Sequence, residues 1–233
     1  MLTIKGFQAA FSYWQLFLQG VVCTISLSFL TVILGFILAL VLAVLRMGRV
    51  KILRALATAY VELFRATPMI VQVFIIYYVV FNGVKVLPGV KLFGFIRFDR
   101  FFPAVVALAL NSGAYLSEII RSGIQSVDGG QTEAARSLGL NAVQTMRFVV
   151  LPQAIKNILP AIANEFVTII KESAICYTIG VQDIMSAVNA VKGATYRTGE
   201  ALIIATVLYF CLTYPTSKII EHFERKMRRG DIR

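Results

Sequence analysis

Between Lys5 and Arg46 the chain carries no charged residue. The apolar part of this run, 21–45, exceeds the roughly 20 residues that a helix rising about 1.5 Å per residue needs to cross a hydrocarbon core of about 30 Å. It is too long for the apolar core of a secretory signal and has no convincing cleavage site, so it is expected to remain as a membrane anchor. The rest of the chain agrees with a bilayer location. Of 233 residues 58% are hydrophobic and only 15% charged, with a mean hydropathy of +0.77, too few charges to cover a soluble domain of this size.

Four further segments approach spanning length: 56–81, 101–120, 158–181 and 200–219. Glu62 and Arg65 interrupt the first of these, and Glu165, Lys171 and Glu172 interrupt the third. The expected fold is all-α, a polytopic membrane protein of about five transmembrane helices in a single domain, 1–233, with a cytoplasmic loop over 121–157.

Basic residues set the orientation, because Lys and Arg are retained on the cytoplasmic side. With the N-terminus outside and the C-terminus inside, the inner connections hold Arg46, Arg49, Lys51 and Arg54, then Arg121, Arg136, Arg147 and Lys156. The inner tail adds Lys218, Arg225, Lys226, Arg228, Arg229 and Arg233. The outer segments hold the smaller set, Lys5, Lys85, Lys91, Arg97, Arg100, Lys192 and Arg197. This placement also accounts for the net charge of +11 without a nucleic-acid partner.

Catalytic and metal chemistry find no support. Cys23, Cys176 and Cys211 sit singly in apolar stretches without metal-ligand spacing, and His222 lies alone in a charged tail. No Gly-rich Lys-Ser/Thr phosphate loop and no Ser/His/Asp or Cys/His constellation is present, so the chain is not expected to be an enzyme or to bind a cofactor.

The 121–157 loop is long for a connection and carries its own helix signals. Asp128 with Gln131 reads as a capping box, Gly139 as a left-handed helix stop, and Asn141 with Gln144 as a second start that Pro152 limits. The pattern predicts two short helices joined by a sharp turn. Ala134, Ala135 and Leu138 are expected on one small face bordered by Glu133 and Arg136, suited to docking in a cleft on another protein. An amphipathic helix lying on the lipid surface is the alternative, but it calls for a larger apolar face.

Glu133-Ala134-Ala135, then Gly139, then Val149-Val150-Leu151-Pro152 resembles the signature loop of the membrane subunits of ABC importers, with Val149 in place of the commoner isoleucine. The segments Glu62–Pro68 with Gln72, Ala114–Arg121, Asn164–Phe166, Lys171–Ser173 and Ile179–Val181 are similar to the polar amino-acid branch of that family (histidine, arginine, glutamine, glutamate). The resemblance runs from about Gly20 to the C-terminal tail. It implies a permease in the cytoplasmic membrane that pairs with a second copy or paralogue. It also implies a cytoplasmic ATPase dimer carrying ATP and Mg, an extracytoplasmic solute-binding protein, and ATP-driven alternating access for a polar amino acid. The docking residues would be Glu133, Ala134, Ala135, Leu138, Gly139 and Pro152. An ion-coupled secondary carrier is the competing class, and five spans without an inverted repeat argue against it.

Polar groups inside the spans mark the expected pathway, since an ionised side chain at mid-bilayer costs on the order of 3 kcal/mol and usually faces protein or water. Glu62 and Arg65, three apart, are expected to form a structural pair, followed by a kink at Thr67-Pro68. Gln72, Asn111, Asn164, Glu165 and Lys171 are expected to line the route. A zwitterionic amino acid needs an anion for its ammonium and a cation or amide for its carboxylate. Pairing of Glu165 with Lys171 or Arg65 within the bundle is the alternative.

Overall fold

The computed structural model describes residues 2–81 and 89–228, so Lys85, Arg229 and Arg233 of the charge pattern lie outside the described residues. Helix α1 spans Ile4–Phe11 and α2 spans Trp14–Met47. Helix α3 covers Lys51–Ala66, and α4 covers Met69–Phe74 and continues as a π-helical stretch, Ile75–Phe81. A two-stranded antiparallel hairpin, β1 Lys91–Leu92 and β2 Ile96–Arg97, leads into α5, Phe98–Gln125. Helices α6, Gly129–Ser137, and α7, Ala142–Thr145, follow. A π-turn, Met146–Val150, joins α7 to α8, Leu151–Glu172, which tightens into a 3-10 stretch, Ser173–Ile179. Helices α9, Ile184–Thr195, and α10, Thr198–Arg228, complete the described chain.

Three helices, α2, α5 and α10, are long and apolar enough to cross a membrane by themselves, and the count rises to five if each of two bent pairs forms one span. Helix α5 is the centre of the bundle: 72% of its most apolar stretch is buried, against 6% for α10, whose Val207, Phe210 and Ile219 stay exposed. Small residues let α2 and α5 approach closely. A Cβ on Gly35 would stand 3.1 Å from Ser112 Oγ, and one on Gly113 would stand 2.7 Å from Leu38 Cδ2. Such substitutions of glycine for bulk are how helices pack in lipid, where no hydrophobic drive exists between them.

Contacts between element ends sort the bundle into two poles. At one pole Arg46 of α2 reaches Glu118 near the end of α5, and Asn157 early in α8 donates to Ser126 just after α5. At the other, Thr3 N donates to Glu200 early in α10 (3.3 Å) and Arg100 early in α5 donates to Gly180 O (3.3 Å). Helix α9 packs at this second pole against Phe17 of α2 and Ala201 of α10. Helices α2, α5 and α10 therefore run from the second pole to the first, and α8 runs back.

The second span departs from expectation. Instead of a kinked helix over 56–81, the chain bends by 109° between α3 and the α4 stretch. Pro68 has no N–H to continue α3, and it forces Thr67 into an extended conformation (φ −109°, ψ 146°). With 16 residues, α3 is about 24 Å long and cannot cross alone. Pro152 does not end a helix as expected either. Helical backbone runs from Ala142 to Ile179, and the π-turn before Pro152 accommodates the ring and the missing donor. Helices α1 and α9 and the hairpin had no counterpart in the periodicity reading.

Candidate coupling surface and translocation face

The connection after α5 is ordered by local bonds. Asp128 caps α6 by accepting from Gly130 N (2.7 Å), without the reciprocal Gln131 contact that a full box requires. The turn closes as a Schellman motif: Leu140 N donates to Ala135 O (3.2 Å) and Gly139 N to Arg136 O (3.0 Å), with Gly139 at φ +87°. Asn141 and Gln144 then form the complete reciprocal box (3.0 and 2.9 Å). The two helices with a sharp turn are thus present, but their exposed face differs from the expected one. Ala135 is 5% exposed and packs inward, because α6 leans on its own chain, whereas Leu138 is 85% exposed. Glu133, Ala134 and Gly139 are exposed, and Val143 and Phe148 extend the open apolar patch beside Arg136 and Arg147. Pro152 is exposed at the start of α8, beyond the turn.

Gln72 and Asn111 meet, but inside the chain. Gln72 Nε2 donates to Phe64 O (2.8 Å), Thr67 O (3.1 Å) and Thr67 Oγ1 (2.8 Å), and Gln72 Oε1 accepts from Asn111 Nδ2 (2.8 Å). Asn111 Nδ2 also donates to Phe64 O (3.3 Å). The two amides supply the donors that the α3 carbonyls lose at the Thr67-Pro68 break, and both side chains are buried. They form a latch on the bend, with both amides turned into the chain's own packing.

Glu62 and Arg65 do not pair. Glu62 is exposed, while Arg65 turns to α5, 3.9 Å from Glu118 Oε2 and 5.6 Å over the Tyr115 ring. Glu118 also accepts from Arg46 (2.6 Å) and from Arg121 one turn on, so one carboxylate draws α2, α3 and α5 together. Sequence reasoning assigned Glu118 no role. The available signal was an acid three residues before Arg121 near the basic end of a span.

Asn164 and Lys171 are exposed, seven residues apart on one face of α8, and Thr168 lies between them. Glu165 is half-buried, turned towards Ser112 of α5 and facing the like charge of Glu172. Among the described residues it forms no ion pair with Lys171 or Arg65, so the expected internal alternative is not realised. Helix α8 thus presents Asn164, Thr168 and Lys171 along a side that the chain's own helices leave open, with the Glu165 carboxylate turned in towards α5 beside it.

Residues 31–229 match the family described as binding-protein-dependent transport system inner membrane component. The chain belongs to that family. This permease is 40% identical to the arginine transport system permease protein ArtQ of Bacillus subtilis over 225 residues, 97% of this chain and 98% of the relative. It is 38% identical to the nopaline transport system permease protein NocM of Agrobacterium fabrum, over 87% of this chain and 84% of the relative. Among solved structures, an amino acid ABC transporter with histidines superimposes with a TM-score of 0.87 at 41% identity, covering 97% of the permease and 100% of that chain. The MetNI methionine ABC transporter, at 21% identity and a TM-score of 0.70, shares the fold. The permease is therefore the membrane-spanning subunit of an ABC importer. ATP hydrolysis belongs to a separate subunit.

Proposed function

We propose that the chain is a single-domain permease of the cytoplasmic membrane that imports a polar amino acid by alternating access, driven by ATP and Mg on a partner ATPase dimer. The N-terminal pole faces outward, where an extracytoplasmic binding protein delivers the solute, and the α6–α7 pole faces the cytoplasm. A second copy or paralogue closes the open side of α8, so that Asn164, Glu165 and Lys171 meet the two charges of the zwitterion across a shared route. Glu133, Ala134, Leu138 and Gly139 enter the ATPase cleft, with Ala135 holding the element to its own chain.

The observation that carries this reading is the continuous helical run from Ala142 to Ile179, which begins at the exposed Val143 and Phe148 part of the patch and carries the polar face of α8. Displacement applied at Val143 and Phe148 moves Asn164 and Lys171 with little loss, which a floppy loop would not allow, and the Schellman turn at Gly139 ties α6 to that run. The relatives' names, arginine, nopaline and glutamine transport, support the substrate class.

The test is reconstitution in vesicles with and without the ATPase. Uptake that requires both subunits and the binding protein is expected, whereas uptake by this chain alone would establish the ion-coupled carrier instead. Leu138→Asp is expected to weaken ATPase association about tenfold or more, as loss of a well-placed apolar anchor does. Its exposure makes the fold insensitive to the change.

A further inference from the structure

The polar face of α8 continues below Asn164. Seven residues return a helix to within about 20° of the same direction, so Asn157 lies under Asn164 and Lys171. At Asn157 a cavity of ≈ 410 Å³ opens between α5, α8 and the last turns of α10. That volume is within the range of small-molecule sites.

Its polar lining is Ser122 near the end of α5 and Ser126 just after it, Lys156 and Asn157 from α8, and Glu224 from α10. Asn157 Nδ2 donates to Ser126 Oγ (3.0 Å), and Ser126 Oγ donates to Gly123 O (2.8 Å), so the wall is held in place by its own bonds. Ser122 Oγ donates to Ile119 O (3.1 Å), which leaves its lone pairs to accept. Lys156 and Glu224 already take part in interactions, so any guest must exchange with existing partners. That condition selects the guest's chemistry. A zwitterion entering between an ammonium and a carboxylate gives each a new opposite charge, whereas a simple cation crowds Lys156 and a simple anion crowds Glu224.

We propose that this cavity is a second, inner station for a free α-amino acid, its carboxylate facing Lys156 and its ammonium facing Glu224. The proposal rests on the orientation and substrate class of the preceding subsection, and it adds a binding step below the Asn164 level of the route.

The experiment uses the permease with its ATPase in nanodiscs made without phosphatidylethanolamine, with L-arginine and L-glutamine as probes. Hydrogen–deuterium exchange is followed over 119–126 and 155–161. Either amino acid is expected to slow exchange there, and agmatine, which lacks the carboxylate, is not. Lys156→Gln and Glu224→Gln are each expected to weaken the effect about tenfold or more, the loss of one charge-assisted contact. Exchanging the two charges, Lys156→Glu with Glu224→Lys, is expected to restore it, which separates lost binding from lost folding. Protection that agmatine matches, that both single variants retain, or that appears only when phosphatidylethanolamine is added overturns the station, the last outcome assigning the cavity to a lipid headgroup. Absence of protection by both probes overturns it as well. Uptake assays on the same preparation keep the two readings distinct, because intact uptake without protection removes only the inner station, and protection without uptake removes only the transport reading.

Discussion

Gln72 donates to Phe64 O, the carbonyl that Pro68 orphaned, and to Thr67 O at the break, and its oxygen takes Asn111. A backbone break inside lipid needs such a substitute, since no water is available to satisfy it. Gln72→Ala is therefore expected to destabilise the protein by about 1–3 kcal/mol. Asn111→Ala added to it should cost less than Asn111→Ala alone, because the two side chains act as one unit. Denaturant titration of the four proteins in detergent micelles checks both the loss and the coupling, and additive costs would rule out a latch. Glu118 works at the same scale. Its three arginine neighbours come from three helices, a convergence that residue order does not reveal.

Among elements, the α6–α8 assembly depends on the left-handed turn at Gly139. No atom would obstruct a side chain there, so the cost of substitution is purely conformational. For a residue with a Cβ it is about 1–2 kcal/mol, least for asparagine. Gly139→Val is expected to reduce ATPase co-purification, with Gly139→Asn close to the unsubstituted protein. Equal co-purification of all three would show that turn geometry does not govern docking. The α3–α4 bend is the other decisive element. It keeps α3 at the pole of Glu118 and sends the α4 stretch towards the opposite end, where Phe81 meets Phe102 edge-on at 5.7 Å.

At the scale of the whole molecule, the bundle leaves the polar flank of α8, with Asn164 and Lys171, open. Asn164→Cys, in a background where exposed Cys211 is replaced by serine, is expected to react with a charged, water-soluble thiol reagent. Buried Cys23 and Cys176 are expected not to react. Saturating amino acid should slow the modification in the assembled transporter. Modification only by lipid-soluble reagents would place this flank against acyl chains and remove it from the route.

The amino-acid order alone determined the bilayer location, the about five apolar segments, the alternating basic ends and the capped turn at Gly139. Each of these follows from local hydropathy, charge or backbone preference. The tertiary structure decided the remainder. Thr67-Pro68 announced a disturbance, but its 109° extent depends on Gln72 and Asn111 meeting across two helices. Arg65 had acids available at 62 and 118, and only helix packing selected the second. Ala135 and Leu138 carry the same apolar label, yet one is buried and the other exposed because α6 rests on the π-turn that leads into α8. Local rules act over a few neighbouring residues, whereas partner choice and facing depend on which distant surfaces pack together.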